Sequence, residues 1–220
     1  MLLLQFSTSH YCRKARLALG YKQVAYEKEN LTPGLHIIRL KPLTGLTTVP
    51  VLIADEEQAI ADSTHILEFL ERYRPEPALF LSDEEQQRQA RLLEDWLDES
   101  IGTATRFVYY DFRAGEGKAI DPSLFSQLVI QVVRRQYKIT PAAVQLASDR
   151  LKLAMLVLQE RWQSGIYLVG DRLSIADIAA AALLSPLALI PQYQQSYPLI
   201  FERIGQIHQL CGEPLPPGLS

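Results

Sequence analysis

Thr48-Val49-Pro50-Val51-Leu52 and, a short hairpin later, Ala61-Asp62-Ser63-Thr64 decide how this chain is read. In the first stretch an apolar run with strand character is interrupted by Pro50, which cannot donate to a ladder and so belongs at a strand's first residue or edge. A cis bond before Pro50, the minority form even for proline, would leave the Val49 N–H and C=O free to pair with an extended ligand, as an added strand does. In the second stretch Asp62 or Ser63 caps a helix whose apolar residues Ile66, Leu67, Phe69, Leu70 and Tyr73 recur at helical spacing. A helix N-terminus carrying a hydroxyl suits a carboxylate.

Working outward, residues 2–7 read as a buried strand, and Tyr11 to Gly20 as a helix stopped by its glycine. Residues 24–30 form a second strand, which the crossover helix makes parallel to the first. A loop carrying Pro33, Gly34, Pro42 and Gly45 leads to the strand Val49–Ile53, a turn at Asp55-Glu56-Glu57, a brief strand at 58–60 and the helix Ser63–Tyr73. The order is βαβ followed by ββα. Arg74-Pro75-Glu76-Pro77 then breaks the helix, and Ser82-Asp83-Glu84-Glu85 ends a linker in a helix cap. Beyond it the patterns are helical, over 84–113, 121–137 and 141–163, with a final helix from Tyr197-Pro198 to about Leu210. Ser174 and Asp177 have capping-box spacing, flanked by Leu173 and Ile178 as a hydrophobic staple. The expected fold class is α/β plus all-α, with residues 1–76 as a thioredoxin-like domain and 84–220 as an all-α domain.

Hydrophobic and charged contents of 48% and 21% are those of a soluble globular protein. A net charge of -3, with no dense basic run, argues against nucleic acid as a partner. The longest apolar candidate, Ile178–Leu184, is too short for a membrane span, and the apolar N-terminus lacks the basic start of a leader, so no membrane partner is expected. Cys12 and Cys211 stand at opposite ends of the chain and suggest no disulfide framework, which fits a reducing cytoplasm. His65 and His208 have no metal-like spacing with other ligands, and no metal is expected.

Together the Val-Pro turn, the Asp-Ser helix start, the βαβ-ββα order and the Ser174–Asp177 box resemble the soluble glutathione transferases over essentially the whole chain. The resemblance implies glutathione as co-substrate. Val49, ahead of Pro50, would pair with its cysteinyl part, while Ser63 would meet the γ-glutamyl carboxylate and Asp62 the amino group. For the glycine carboxylate the loop offers His36, Arg39 and Lys41, although the segment Lys41 to Thr48 is longer than the family's usual turn before Val-Pro. The resemblance also places the catalytic hydroxyl of a serine-type enzyme at Ser9, in the run Ser9-His10-Tyr11-Cys12, which looks like Cys-x-x-Cys with serine first.

A thiol like that of glutathione has a pKa of about 8.5, and lowering it two units takes about 2.7 kcal/mol of preferential anion stabilisation, within reach of a hydroxyl donor and a helix dipole. Tyr11, Ser7 and Cys12 are the other candidates. The register that carries the tyrosine of tyrosine-type members falls on Gln5. For the electrophile, Tyr109, Tyr110 and Arg113 lie late in the first helix of the all-α part, and His10 and Tyr11 join them as candidate pocket residues.

The expectation is a cytoplasmic, homodimeric, serine-type glutathione transferase that conjugates glutathione to a small electrophile. The alternatives are a glutathione-dependent isomerase or thiol-disulfide reductase on the same fold, and a non-catalytic transferase-like binding protein.

Overall fold

Leu3 and Leu4, neighbours on one strand, are both completely buried. A strand has two faces, so both sides of the sheet must be covered. That strand, β1 (Leu2–Gln5), is central in a four-stranded sheet ordered β2-β1-β3-β4. It pairs in parallel with β2 (Glu27–Asn30) because α1 (His10–Tyr21) crosses over between them, and antiparallel with β3 (Val51–Ile53), which in turn meets β4 (Ala59–Ala61). The register sets Ala61 opposite Val51, so the start of α3 (Ser63–Tyr73) emerges beside the Val49–Pro50 turn. The computed structural model describes residues 1–55 and 58–219. Glu56 and Glu57 of the expected acidic turn lie outside the described residues.

Two expectations are corrected. The segment read as a punctuated loop contains α2 (His36–Thr44), with Pro42 inside it and Gly45 closing it at φ 74° with its N–H on the Lys41 carbonyl. Proline in the last turn forfeits one ladder bond without ending so short a helix, and glycine then supplies the left-handed cap. Gly20, expected to stop α1, lies within it. A Cβ there would fall 1.9 Å from the Cys211 carbonyl oxygen, so glycine is required by the close approach of the chain's last helix.

After β4 every regular element among the described residues is helical. α4 (Glu84–Trp96) and α5 (Gly102–Ala114) form one rod through a π-helical turn at Leu97–Ile101, where the sequence pattern had a single helix. α6 (Leu124–Gln136), α7 (Pro141–Ser164), α8 (Ile175–Leu183), α9 (Pro191–Ser196) and α10 (Pro198–Leu210) follow, with 3₁₀ turns at Glu116–Ile120 and Ser185–Leu189. Every residue of α8 is buried, and its run of alanines lets α1, α4 and α10 pack closely around it. The expected capping box is present at its start, and the Asp177 carboxylate also accepts the Leu168 N–H at 2.8 Å. Leu173 and Ile178 of the staple are both buried.

The stretch read as a linker is tied down. The Glu71 carboxylate accepts the N–H groups of Leu79 and Phe80, and the buried Lys22 ammonium donates to the carbonyls of Arg74 and Pro75 as well as to Glu71. A second completely buried lysine, Lys14 of α1, donates to Thr64 Oγ1 of α3 (3.1 Å), to Asp98 Oδ2 (2.6 Å) and to Glu94. A buried charge persists only when paired and hydrogen-bonded.

Replacing Lys14 with methionine leaves two buried carboxylates uncompensated, and Lys14→Met lowers the unfolding free energy by about 3–5 kcal/mol in a urea titration. Adding Glu94→Leu and Asp98→Leu recovers most of that loss; a triple variant as unstable as the single one contradicts the pairing.

Candidate functional site

Just before β3 and beside the start of α3 the Val49–Pro50 bond is cis, and among the described residues neither the N–H nor the C=O of Val49 has a backbone partner. Asp62 is the cap. Its Oδ1 accepts the N–H groups of Thr64 (2.8 Å) and His65 (3.3 Å), while its backbone sits at φ 77°, a conformation that costs a non-glycine residue about 1–3 kcal/mol. Ser63 is 1% exposed, and among the described residues its Oγ has no hydrogen-bond partner. A hydroxyl buried at a helix N-terminus without a partner is an unmet demand for an acceptor or donor. Thr64, one residue on, is held by Glu94 and Asp98.

Ser9 is the N-cap of α1, accepting the Cys12 N–H on its Oγ at 3.3 Å, and its hydroxyl also lies within hydrogen-bond reach of the Cys12 thiol. Cys12 is fully buried, and burial pushes its thiol up, against the lowering influence of Ser9. Cys211 is pushed up to about 12 by burial. Both thiols are therefore protonated near neutral pH.

Tyr11 donates its hydroxyl to the Asp98 carbonyl at 2.7 Å, against Gly102, where a Cβ would lie 2.7 Å from the hydroxyl oxygen. Burial raises that phenol to about 12. His10 is buried against the Tyr11 ring rather than turned to solvent, and burial, reinforced by the charges of Arg106 and Arg13, pushes it down to about 3. Ser7 is exposed. Gln5 bridges Asn30 and Arg16, and Arg16 also pairs with Glu213.

From the all-α side α5 presents Arg106, Tyr109, Tyr110 and Arg113. The Arg113 guanidinium donates to the Tyr109 hydroxyl (3.0 Å) and to Ser126 Oγ (3.3 Å), Tyr109 and Tyr110 meet edge to face, and burial raises Tyr110 to about 12. Arg106 lies over the Tyr11 and Tyr137 rings, at 5.5 and 4.5 Å. Tyr11 and Arg106 thus join α1 to α5, and Tyr109 and Arg113 lie on the same α5 face at helical spacing.

Lys41 is exposed in the last turn of α2, and its side chain touches none of these groups among the described residues. His36 is the α2 residue drawn toward the β1–α1 loop, through an edge contact with Phe6 at 4.9 Å; its Nδ1 accepts the Gly34 N–H, which leaves Nε2 as the donor. Arg39 pairs with Glu29 at 3.5 Å.

Sequence reasoning missed Lys14 and Arg106. Arg106 had a signal, since 102, 106, 109 and 113 share a helix face. Lys14 had none, because its partners lie 50 to 84 residues away. Among the described residues no group of His, Cys, Asp or Glu could hold a metal ion, and no helix is long and apolar enough to cross a membrane.

Two family models match, the glutathione S-transferase N-terminal domain over residues 3–78 and the glutathione S-transferase C-terminal domain over residues 124–200, together more than half of the chain. The chain belongs to the glutathione S-transferase family. It is 25% identical over 176 residues to FtsZ-localized protein A of Caulobacter vibrioides, covering 79% of this chain and 71% of that protein. Among solved structures it resembles a glutathione S-transferase from Rhodospirillum rubrum (TM-score 0.74, 21% identity, 98% and 94% of the two chains). One from Methylobacterium radiotolerans, in complex with glutathione sulfonate, is similarly close (TM-score 0.73, 20% identity, 98% and 94%).

The buried His10 imidazole has a testable consequence. Its folded pKa lies below the ordinary 6.5, so the unfolded chain binds the extra proton between pH 6.5 and about 3. Stability is therefore lost as pH falls through that window and is intact above it. His10→Gln removes this contribution, and its melting temperature falls less steeply than the wild type's from pH 6.5 to 4; parallel curves refute the burial of a neutral imidazole.

Proposed function

We propose that this chain binds glutathione and conjugates it, as thiolate, to a small electrophile, with Ser9 as the hydrogen-bond donor to sulfur. The observation that carries the reading is the buried Ser63 hydroxyl without a partner, set at the N-terminus of α3 beside the unpaired backbone of Val49. Val49, held by the Pro50 turn, pairs with the cysteinyl backbone. Ser63 and the helix N-terminus take the γ-glutamyl carboxylate, and Asp62, whose Oδ2 makes no hydrogen bond among the described residues, accepts from the amino group. The glycine carboxylate falls to α2, where Lys41 supplies charge and His36 a donor.

Chemistry is then a matter of orientation and anion stabilisation. The Ser9 O–H donates to the thiolate at the N-terminus of α1. Arg13 and Arg106 add positive potential, and His10 adds none because it is neutral. Sulfur attacks the electrophile in the space bounded by Tyr11, Tyr109, Tyr110 and Arg113. Cys12, buried and protonated, is poorly suited to the thiol exchange of a reductase. The protein acts in the cytoplasm as a homodimer, the commonest closed assembly.

Titration calorimetry tests the binding half. Glutathione binds the wild type, and Ser63→Ala weakens binding by about 1–3 kcal/mol, the cost of leaving a charged partner unpaired. Wild-type protein that binds no glutathione at millimolar concentration ends the reading.

For the catalytic half, Ser9→Ala raises the pH midpoint of the bound thiolate's ultraviolet absorbance and lowers kcat/KM by about 10²-fold, as for loss of one oxyanion donor, while Cys12→Ala changes both little. Activity lost in Cys12→Ala and kept in Ser9→Ala makes thiol exchange the better account. A second reading, a binding protein that keeps the frame without turnover, is favoured by the likeness to FtsZ-localized protein A. Glutathione bound but no electrophile turned over selects it.

A further inference from the structure

Three guanidiniums, Arg13, Arg106 and Arg113, gather around the first turn of α1 and the facing side of α5, and among the described residues none is ion-paired. Carboxylates are close but committed: Asp98 to Lys14, Glu213 to Arg16, Asp111 to Arg134, and Asp121 to the Ser123 N–H. Glu99, the remaining acid of the π turn, is exposed and makes no ion pair among the described residues. The cations are screened little, because Arg113 is 8% exposed and the Nε atoms of Arg13 and Arg113 are buried without partners among the described residues. Buried charges are ordinarily paired, so a local surplus of poorly solvated positive charge marks a place prepared for an anion.

The three differ in what they have left to offer. Arg13 donates to Ser185, and Arg113 to Tyr109 and Ser126. Arg106 makes no hydrogen bond among the described residues. Its guanidinium carbon lies over the Tyr11 and Tyr137 rings, contacts that use the ring faces and commit none of its N–H donors. Arg106 also sits one turn along α5 from Gly102, which touches Tyr11, two residues from Ser9. Tyr109, accepting from Arg113, keeps its own O–H to donate.

We propose that the electrophile taken by this site carries a carboxylate, which Arg106 binds in the plane of its guanidinium while Arg13 and Arg113 supply positive potential and Tyr109 a further donor. The proposal rests on the transferase reading for its chemistry but not for its binding. In the conjugation of a chloro-dinitrobenzoate, the thiolate sulfur forms a bond to the ring carbon bearing chlorine. Chloride then leaves with the C–Cl electron pair, and the thiol proton has already passed to solvent.

The test compares an anion with its neutral twin. Calorimetry of 3,5-dinitrobenzoate and its methyl ester, without glutathione, reads binding. Turnover of 4-chloro-3,5-dinitrobenzoate and its methyl ester, each divided by its uncatalysed rate with glutathione, reads conjugation. The carboxylate is preferred by about tenfold or more in both, and Arg106→Met lowers that preference by about tenfold, as expected for loss of a charge-assisted hydrogen bond, with Arg106→Lys in between. A preference for the ester, or a ratio unmoved by Arg106→Met in protein whose melting temperature shows it folded, overturns the proposal; if that variant does not fold, the wild-type ratio and Arg106→Lys decide it. Glutathione binding with the ester conjugated and no carboxylate preference sinks the anion site alone. Carboxylate binding through Arg106 without any glutathione binding sinks the transferase reading alone.

Discussion

The Lys14 ammonium, completely buried between α1, α3 and the α4 rod, is the constraint on which the geometry of the site depends. An ammonium in that position tolerates no slack, because each donor that lost its acceptor would leave a charge poorly compensated in a medium of low polarity. It therefore fixes three elements at one point. Thr64 is among its acceptors, and Ser63 precedes Thr64; Ser9 lies just over a turn before Lys14 on α1. The N-termini of α1 and α3 are thereby held in a set relation.

The π turn at Leu97–Ile101 acts with it. One residue added to a helical turn advances every later side chain by about 100° around the axis. Without it Arg106, Tyr109 and Arg113 would point along a different direction from α5. Within that turn the Asp98 carbonyl accepts the Tyr11 hydroxyl, while the Asp98 carboxylate serves Lys14. A single residue thus ties α1 to the all-α part through both its backbone and its side chain. Gly102 is needed because Tyr11 stands where a Cβ would be.

Much of the frame was legible because it is written in local chemistry. The Val49–Pro50 turn, the Asp62 cap, the Ser9 cap and the Ser174–Asp177 box each need only residues within a few positions of one another, and each is present. α2 was not legible, since Pro42 and Gly45 look the same in a loop and in the last turn of a short helix. Gly20 misled for a related reason: a glycine that ends a helix and one that admits another chain against it are indistinguishable without the other chain.

The sequence by itself determined the order of the strands and of the longer helices, the two capped helix starts and the proline turn between them, because hydrophobic period and capping act over a single turn or pair of strands. Only the tertiary structure decided which side chains would be left without partners. The unpaired Ser63 hydroxyl, the neutral His10 and the uncommitted N–H donors of Arg106 are properties of surroundings assembled from α1, α3, α4, α5 and α6. Burial and satisfaction are sums over neighbours brought from far along the chain. No local pattern records them.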